Sequence, residues 1–165
     1  MTLRTARLEL RPVTVDDAVD LAHIYADAEV VRFVRGFDLE GTRAQLRRWV
    51  DEWKSRGIGI FAVLDGRTGE FLGRSGMKYW PEFDFTEVGW VLRRDVWGRG
   101  YATEAGRASL DYAFAETNLD LVTAIIAKGN DASFAVARRL GMEPWRDEVV
   151  FETECTIFAA RRPVG

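Results

Sequence analysis

Residues 93–105, RRDVWGRGYATEA, set Gly98 and Gly100 one residue apart directly before an alanine-rich run. Glycine in that place lets the backbone take a positive φ or approach another group closely, and a side chain obstructs both. A helix that starts there presents first-turn amides with no intrahelical partner, at the positive end of its dipole. Such a start suits an anion, a pyrophosphate among them. The spacing alone does not separate a phosphate site from a simple turn.

The elements on either side decide between the two. "GIGIFAVLD", "GEFLGRSGMKYW" and "FTEVGWVLR" read as three strands, the first two joined by the hairpin-like "DGRTG". A helix from about Gly100 to Glu116 follows, with Ala102, Ala105, Gly106, Ser109, Leu110, Ala113 and Phe114 along one stripe. "LDLVTAIIA" is a β-branched run suited to a strand covered on both faces. "GNDASFAVARRLGM" reads as a short helix closed at Gly141, and "VVFETECTIFAA" as late strand material. Upstream, "RLELRP" alternates as a strand, and Thr14 caps a helix whose stripe is Val15, Ala18, Ala22 and Tyr25. A second helix, about Thr42 to Arg56, carries Leu46, Trp49, Val50 and Trp53 and ends at Gly57. The order predicts a single α+β (α/β sandwich-like) domain over residues 1–165. Its sheet is mixed but mostly antiparallel, about six to seven strands flanked by about four helices.

A dinucleotide fold runs its first strand straight into the first glycine of an early βαβ unit. Here "RRDVW" intervenes, the glycines lie past mid-chain, and an antiparallel meander precedes them. The dinucleotide reading therefore fails.

Composition narrows the class further. The 165 residues are 47% hydrophobic and 30% charged with a net charge of −3, which fits a globular domain and opposes nucleic-acid binding, where a basic face is the norm. One cysteine, Cys155, rules out an intrachain disulfide and a cysteine metal cluster, so no metal is expected and a cytoplasmic location is. The first residues lack a signal-like apolar core, and no apolar run is of membrane-spanning length, so no membrane association is expected.

Together, "LRTARLELRPVTVDDA", "TEVGWVLRRDVWGRGYATEA" and "GNDASFAVARRLGM" resemble, in order and over nearly the whole chain, the GNAT acyltransferases that use acetyl-coenzyme A, in particular the RimL-like subgroup that acetylates ribosomal-protein N-termini. The resemblance implies the GNAT fold and an acetyl-CoA-dependent N-acetyltransferase acting on a primary amine, either a protein N-terminus or a small molecule. An acyl-CoA-binding regulatory module without turnover is the alternative. "DVWGRGYA" matches the phosphate loop, which implies that amides around Gly98, Arg99, Gly100, Tyr101 and Ala102 hold the pyrophosphate. Asp95 stands where the family has Gln or Arg, so the anion is expected to rely on backbone donors and Arg99, with Asp95 turned away.

By the same resemblance Trp90, Val91 and Leu92 flank the pantetheine arm, Asn130 contacts it or caps its helix, and an amide near Leu92 faces the oxyanion. Glu87, in the subgroup's Glu-x-Gly-aromatic pattern, is the implied general base, with a solvated strand acid as the other reading. Many members carry a tyrosine seven residues after the asparagine, but that position is Ala137 here. Ser133 is then the implied acid at the leaving sulfur, or else only a helix cap. Phe33, Tyr79 and Trp80 are candidates to line the acceptor pocket, while Trp49, Trp53, Phe83 and Phe85 pack in the core or at a homodimer contact. His23, off the apolar stripe among charged neighbours, is read as a surface residue.

Overall fold

The computed structural model describes residues 1–164. The chain runs β1 (Leu3–Arg4), β2 (Leu8–Pro12), α1 (Ala18–Tyr25), α2 (Leu39–Arg56), β3 (Ile60–Asp65), β4 (Phe71–Trp80), β5 (Phe85–Leu92), α3 (Tyr101–Glu116), β6 (Leu121–Ala127), α4 (Asp131–Arg139), β7 (Glu143–Val150) and β8 (Thr153–Arg161). The strands form one sheet in the order β1-β2-β3-β4-β5-β6-β8-β7. Every neighbouring pair is antiparallel except β5 and β6, which α3 connects as a parallel crossover.

Alternation along the strands assigns the two faces. Ile60, Ala62, Phe71 and Val91 pack with Leu21, Ile24, Leu46 and Trp49 of α1 and α2 on one face. Met77, Val88, Val122 and Ala124 pack with Leu110, Ala113, Val136 and Ala137 of α3 and α4 on the other. Each side chain's face follows from the two-residue strand period.

Three expectations are corrected. The sheet has eight strands, one or two more than expected, because β1 is two residues long and β7 is an edge strand whose "EPWRDEVV" is almost entirely exposed and shows no apolar alternation. The stripe of α1 is Ala18, Leu21, Ile24 and Tyr25; a 3₁₀ turn at Val15–Asp17 precedes the helix, leaving Val15 exposed and Ala22 outside the buried set. The tighter three-residue turn breaks the phase that a continuous α-helix would have kept. Helix α2 begins at Leu39 rather than Thr42, because Asp38 Oδ1 accepts from the Gly41 amide at 2.8 Å and caps it one turn earlier.

Candidate active site

Past Leu92 the chain makes a 3₁₀ turn at Arg94–Val96 and then bends into α3 through Gly98 (φ 74°) and Gly100 (φ 80°), both left-handed. A Cβ on Gly98 would meet nothing within 4 Å, and one on Gly100 only Arg7 Nη2 at 3.4 Å, so the backbone angle, not crowding within the protein, demands glycine here. Gly100 stands at the N-cap and offers no side chain to the helix. The first amide of this segment with a backbone partner is that of Glu104, which donates to Gly100 O at 3.0 Å. Among the described residues the amides of residues 98–103 have none, and Thr103 Oγ1 in the same first turn is buried without a partner. Free amides, a helix dipole and an orphaned hydroxyl fit an anion of phosphate chemistry.

The loop is clamped from far away in sequence. Arg7 donates through Nε to Glu104 Oε2 at 2.7 Å and through Nη1 to Arg99 O at 2.8 Å, and its guanidinium lies 4.3 Å from the Tyr101 ring centroid. Asp95 is taken up by Arg93, which donates to both carboxylate oxygens at 2.9 and 2.7 Å. That pairing holds the Asp95 carboxyl below its ordinary pKa and offsets its charge beside the loop.

Next to the loop the sheet opens. Strands β5 and β6 share a single registered pair, Glu87↔Thr123, with Thr123 Oγ1 donating to Thr86 O at 3.1 Å. Beyond it they part. Arg93 donates its amide to Leu72 O, so the alternation of an antiparallel ladder turns the amides of Leu92 and Trp90 away from β4 and toward this opening. A cavity of about 770 Å³ occupies the opening.

Glu87 enters the cavity from the α1/α2 face. Its Oε2 accepts from Trp80 Nε1 at 2.5 Å. Burial pushes its pKa above the ordinary carboxylate value, against the pull of the Trp80 hydrogen bond, the Lys78 charge and the Ile125 amide. A carboxyl raised in this way is a stronger base than an ordinary carboxylate.

Asn130 and Ser133 line the cavity from the start of α4. Asn130 Oδ1 accepts from the Ser133 amide at 3.3 Å, so Asn130 is the cap of this helix. The hydroxyl of Ser133 serves another partner, accepting from Trp90 Nε1 at 3.2 Å. The capping alternative for Ser133 is thereby corrected: the residue three positions earlier already fills that place.

Trp90 and Val91 also line the cavity, as do Phe33 and Trp80. Tyr79 does not: one position out of phase on β4, it donates its hydroxyl to Asp84 at 2.8 Å and carries Arg56 over its ring at 3.8 Å. His23 is exposed on α1, away from the site. Several polar liners escaped the sequence reading: Arg74 and Lys78 on β4, Gln45, Arg48 and Glu52 on α2, Arg35 ahead of α2, and Thr153 on β8. The signal for the first two was present in the alternation Arg74, Gly76, Lys78, Trp80 along one strand face. Thr103 and the Arg7 clamp were likewise missed.

A model of the acetyltransferase (GNAT) domain matches residues 7–143. The protein YkkB of Bacillus subtilis, described as uncharacterized, is 36% identical over 148 residues, covering 85% of this chain and 84% of that protein. The crystal structure of an acetyltransferase from Agrobacterium tumefaciens superposes with a TM-score of 0.85 at 32% identity, covering 98% of this chain and 94% of the other. RimL, a ribosomal L7/L12 alpha-N-protein acetyltransferase solved in complex with coenzyme A, superposes with a TM-score of 0.82 over 98% of each chain; at 16% identity it shares the fold.

Proposed function

The chain belongs to the GNAT family of acetyltransferases, enzymes that acetylate amines from acetyl-CoA, and from this premise we propose how its own residues carry out the transfer. The observation that carries the reading is the meeting of Glu87 and Ser133 in one cavity, where β5 and β6 part beside a loop of unpaired amides. Acetyl-CoA supplies the activated acetyl group as a thioester. The amides of Gly98, Arg99, Gly100, Tyr101 and Ala102, with the Thr103 hydroxyl, hold its pyrophosphate; Trp90, Val91, Leu92 and Asn130 flank the pantetheine arm. Asn130 does so with its amide nitrogen, since its oxygen caps α4.

The acceptor enters from the face covered by α1 and α2, past Phe33 and Trp80. Glu87 takes the proton that the attacking amine must lose, directly or through water. The outward amides of Trp90 and Leu92 face the charge developing on the carbonyl oxygen. Ser133 directs its hydroxyl hydrogen bond at the leaving sulfur and relays a proton to it from water, regaining its own as the thiol forms: the indole N–H of Trp90 is a donor only, so it occupies an acceptor site of the Ser133 oxygen and leaves the hydroxyl proton free. The acceptor is a protein N-terminus or a small amine, in a cytoplasmic setting, a reading supported by the resemblance to RimL-like enzymes. Thiol release from acetyl-CoA across a panel of amines tests the reading. Amine-dependent release is expected, and saturable acetyl-CoA binding without it would make the chain a binding module.

A further inference from the structure

The acceptor side of the cavity holds more positive charge than the transfer chemistry requires. Arg35, Arg48, Arg74 and Lys78 line it against two acids, Glu52 and Glu87. Among the described residues, none of the four cations has a carboxylate within salt-bridge distance. Unpaired cations are ordinary on an open surface, but Arg74 and Lys78 are only partly exposed and sit on a central strand.

Arg74 is built into place. Its Nε donates to Tyr25 Oη at 2.9 Å, and Tyr25 in turn donates to Gln45 Oε1 at 3.0 Å in a buried pair. Its guanidinium lies 5.0 Å from the Trp49 ring centroid. This leaves the two terminal nitrogens, a planar fork suited to a carboxylate, without a partner in the protein. Lys78 Nζ is held 3.6 Å from the Trp80 ring centroid, and Trp80 in turn donates to Glu87. Glu52 Oε2 is buried in the same lining and lacks any hydrogen-bond partner. A cavity that keeps a carboxylate oxygen and a guanidinium fork unsatisfied is arranged for a ligand that completes both.

We propose that the acceptor is a small primary amine that also bears a carboxylate, an amino-acid-like molecule whose anion is received by Arg74 and Lys78 with Arg48 at the rim. Its amine turns toward Glu87, and a further N–H or O–H donates to Glu52. The charge pattern discriminates against polycationic amines, whose extra ammonium groups would meet Arg74 and Lys78 with nothing to offset them. The same cations disfavour the ammonium form of the bound acceptor, which helps present the neutral nucleophile. An extended protein N-terminus brings no carboxylate of its own to this place. The inference rests on the transferase reading and specifies its substrate class.

The test compares amino acids with their decarboxylated amines, a polyamine, and tripeptides blocked at the C-terminus as amides, using coenzyme A release with wild type, Arg74→Gln and Arg48→Gln. Wild type is expected to favour the carboxylated member of each pair at least tenfold in kcat/KM. Arg74→Gln is expected to raise KM for that member roughly tenfold or more, the scale of a charge-assisted hydrogen bond. It should leave KM for acetyl-CoA and for the decarboxylated amine within about twofold. Arg48→Gln, exposed and free of the Tyr25 network, should give a smaller rise with an unchanged melting temperature, which keeps the test decisive if Arg74→Gln loosens the fold. Preference for decarboxylated amines, polyamines or blocked tripeptides would overturn the carboxylate inference and leave the transferase intact. Release from no amine, with acetyl-CoA bound, would overturn both.

Discussion

Trp90 Nε1 and Ser133 Oγ lie 3.2 Å apart across the opening between β5 and α4, joining the strand that borders the cavity to the first turn of the helix behind it. The contact fixes the hydroxyl beside the cavity, and it separates two roles that one short motif had merged. Asn130 caps the helix, and the Ser133 hydroxyl is held at the cavity wall instead of capping.

Ser133→Ala should therefore lower single-turnover rate about tenfold or somewhat more, below a full general-acid effect because a thiolate leaves readily. Its melting temperature should stay near that of wild type. Asn130→Ala should show the cap loss instead, about 1 kcal/mol, or roughly 2–4 °C in a domain of this size. An unchanged rate in Ser133→Ala would leave the sulfur's proton donor unassigned.

Trp80→Phe removes the hydrogen bond that holds down the pKa of Glu87 against burial. The carboxyl should then rise further, moving the acid limb of the kcat/KM pH profile to higher pH while the alkaline side stays in place. A limb displaced to lower pH, or not displaced, would separate Trp80 from the base.

Glu87→Gln should cut turnover by ~10²-fold or more with nearly unchanged acetyl-CoA affinity. Stability should move the other way. Since the folded pKa lies above the unfolded value, the native state holds a proton that the unfolded chain has lost, and stability falls as pH rises between the two. The neutral variant should melt above wild type at neutral pH, with the difference closing as pH drops below the unfolded value of about 4.5. Melting curves from pH 4 to 8 read this directly, and a variant less stable throughout would show that the carboxylate's hydrogen bonds outweigh its desolvation.

Gly100→Val forces a β-branched residue to φ 80° and places its side chain beside Arg7, at the mouth of the unpaired amides. Acetyl-CoA should raise the melting temperature of wild type by linkage, the rise should disappear in this variant, and NAD should stabilise neither protein. Gly98→Ala, whose Cβ meets no protein atom, separates backbone strain from blockage by retaining part of the shift. A full acetyl-CoA response in Gly100→Val would remove the loop from the site.

The features readable from the chain alone share one property: their causes lie within a few residues. The left-handed glycines before α3, the α4 motif from Asn130, the meander from Ile60 to Leu92 and the helix that ends at Gly57 each follow from local propensity, capping or turn chemistry. The order of these local signals was enough to exclude the dinucleotide fold. Element β7 escaped because an exposed edge strand carries no burial pattern to read.

Only the folded sheet decided which side chains meet. Strand parity sends Lys78 and Trp80 into the cavity and Tyr79 away from it, although the three are consecutive or nearly so. The clamp joining Arg7 to Glu104 spans 97 positions, and Tyr25, Gln45 and Arg74 are brought together from two helices and a strand. The protonation of Glu87 depends on the same long-range assembly, because desolvation is a property of everything packed around a group. Sequence spacing specifies neighbours along one element. Burial, charge and the parting of β5 from β6 arise only when distant elements pack, and the lining of the cavity is set by those.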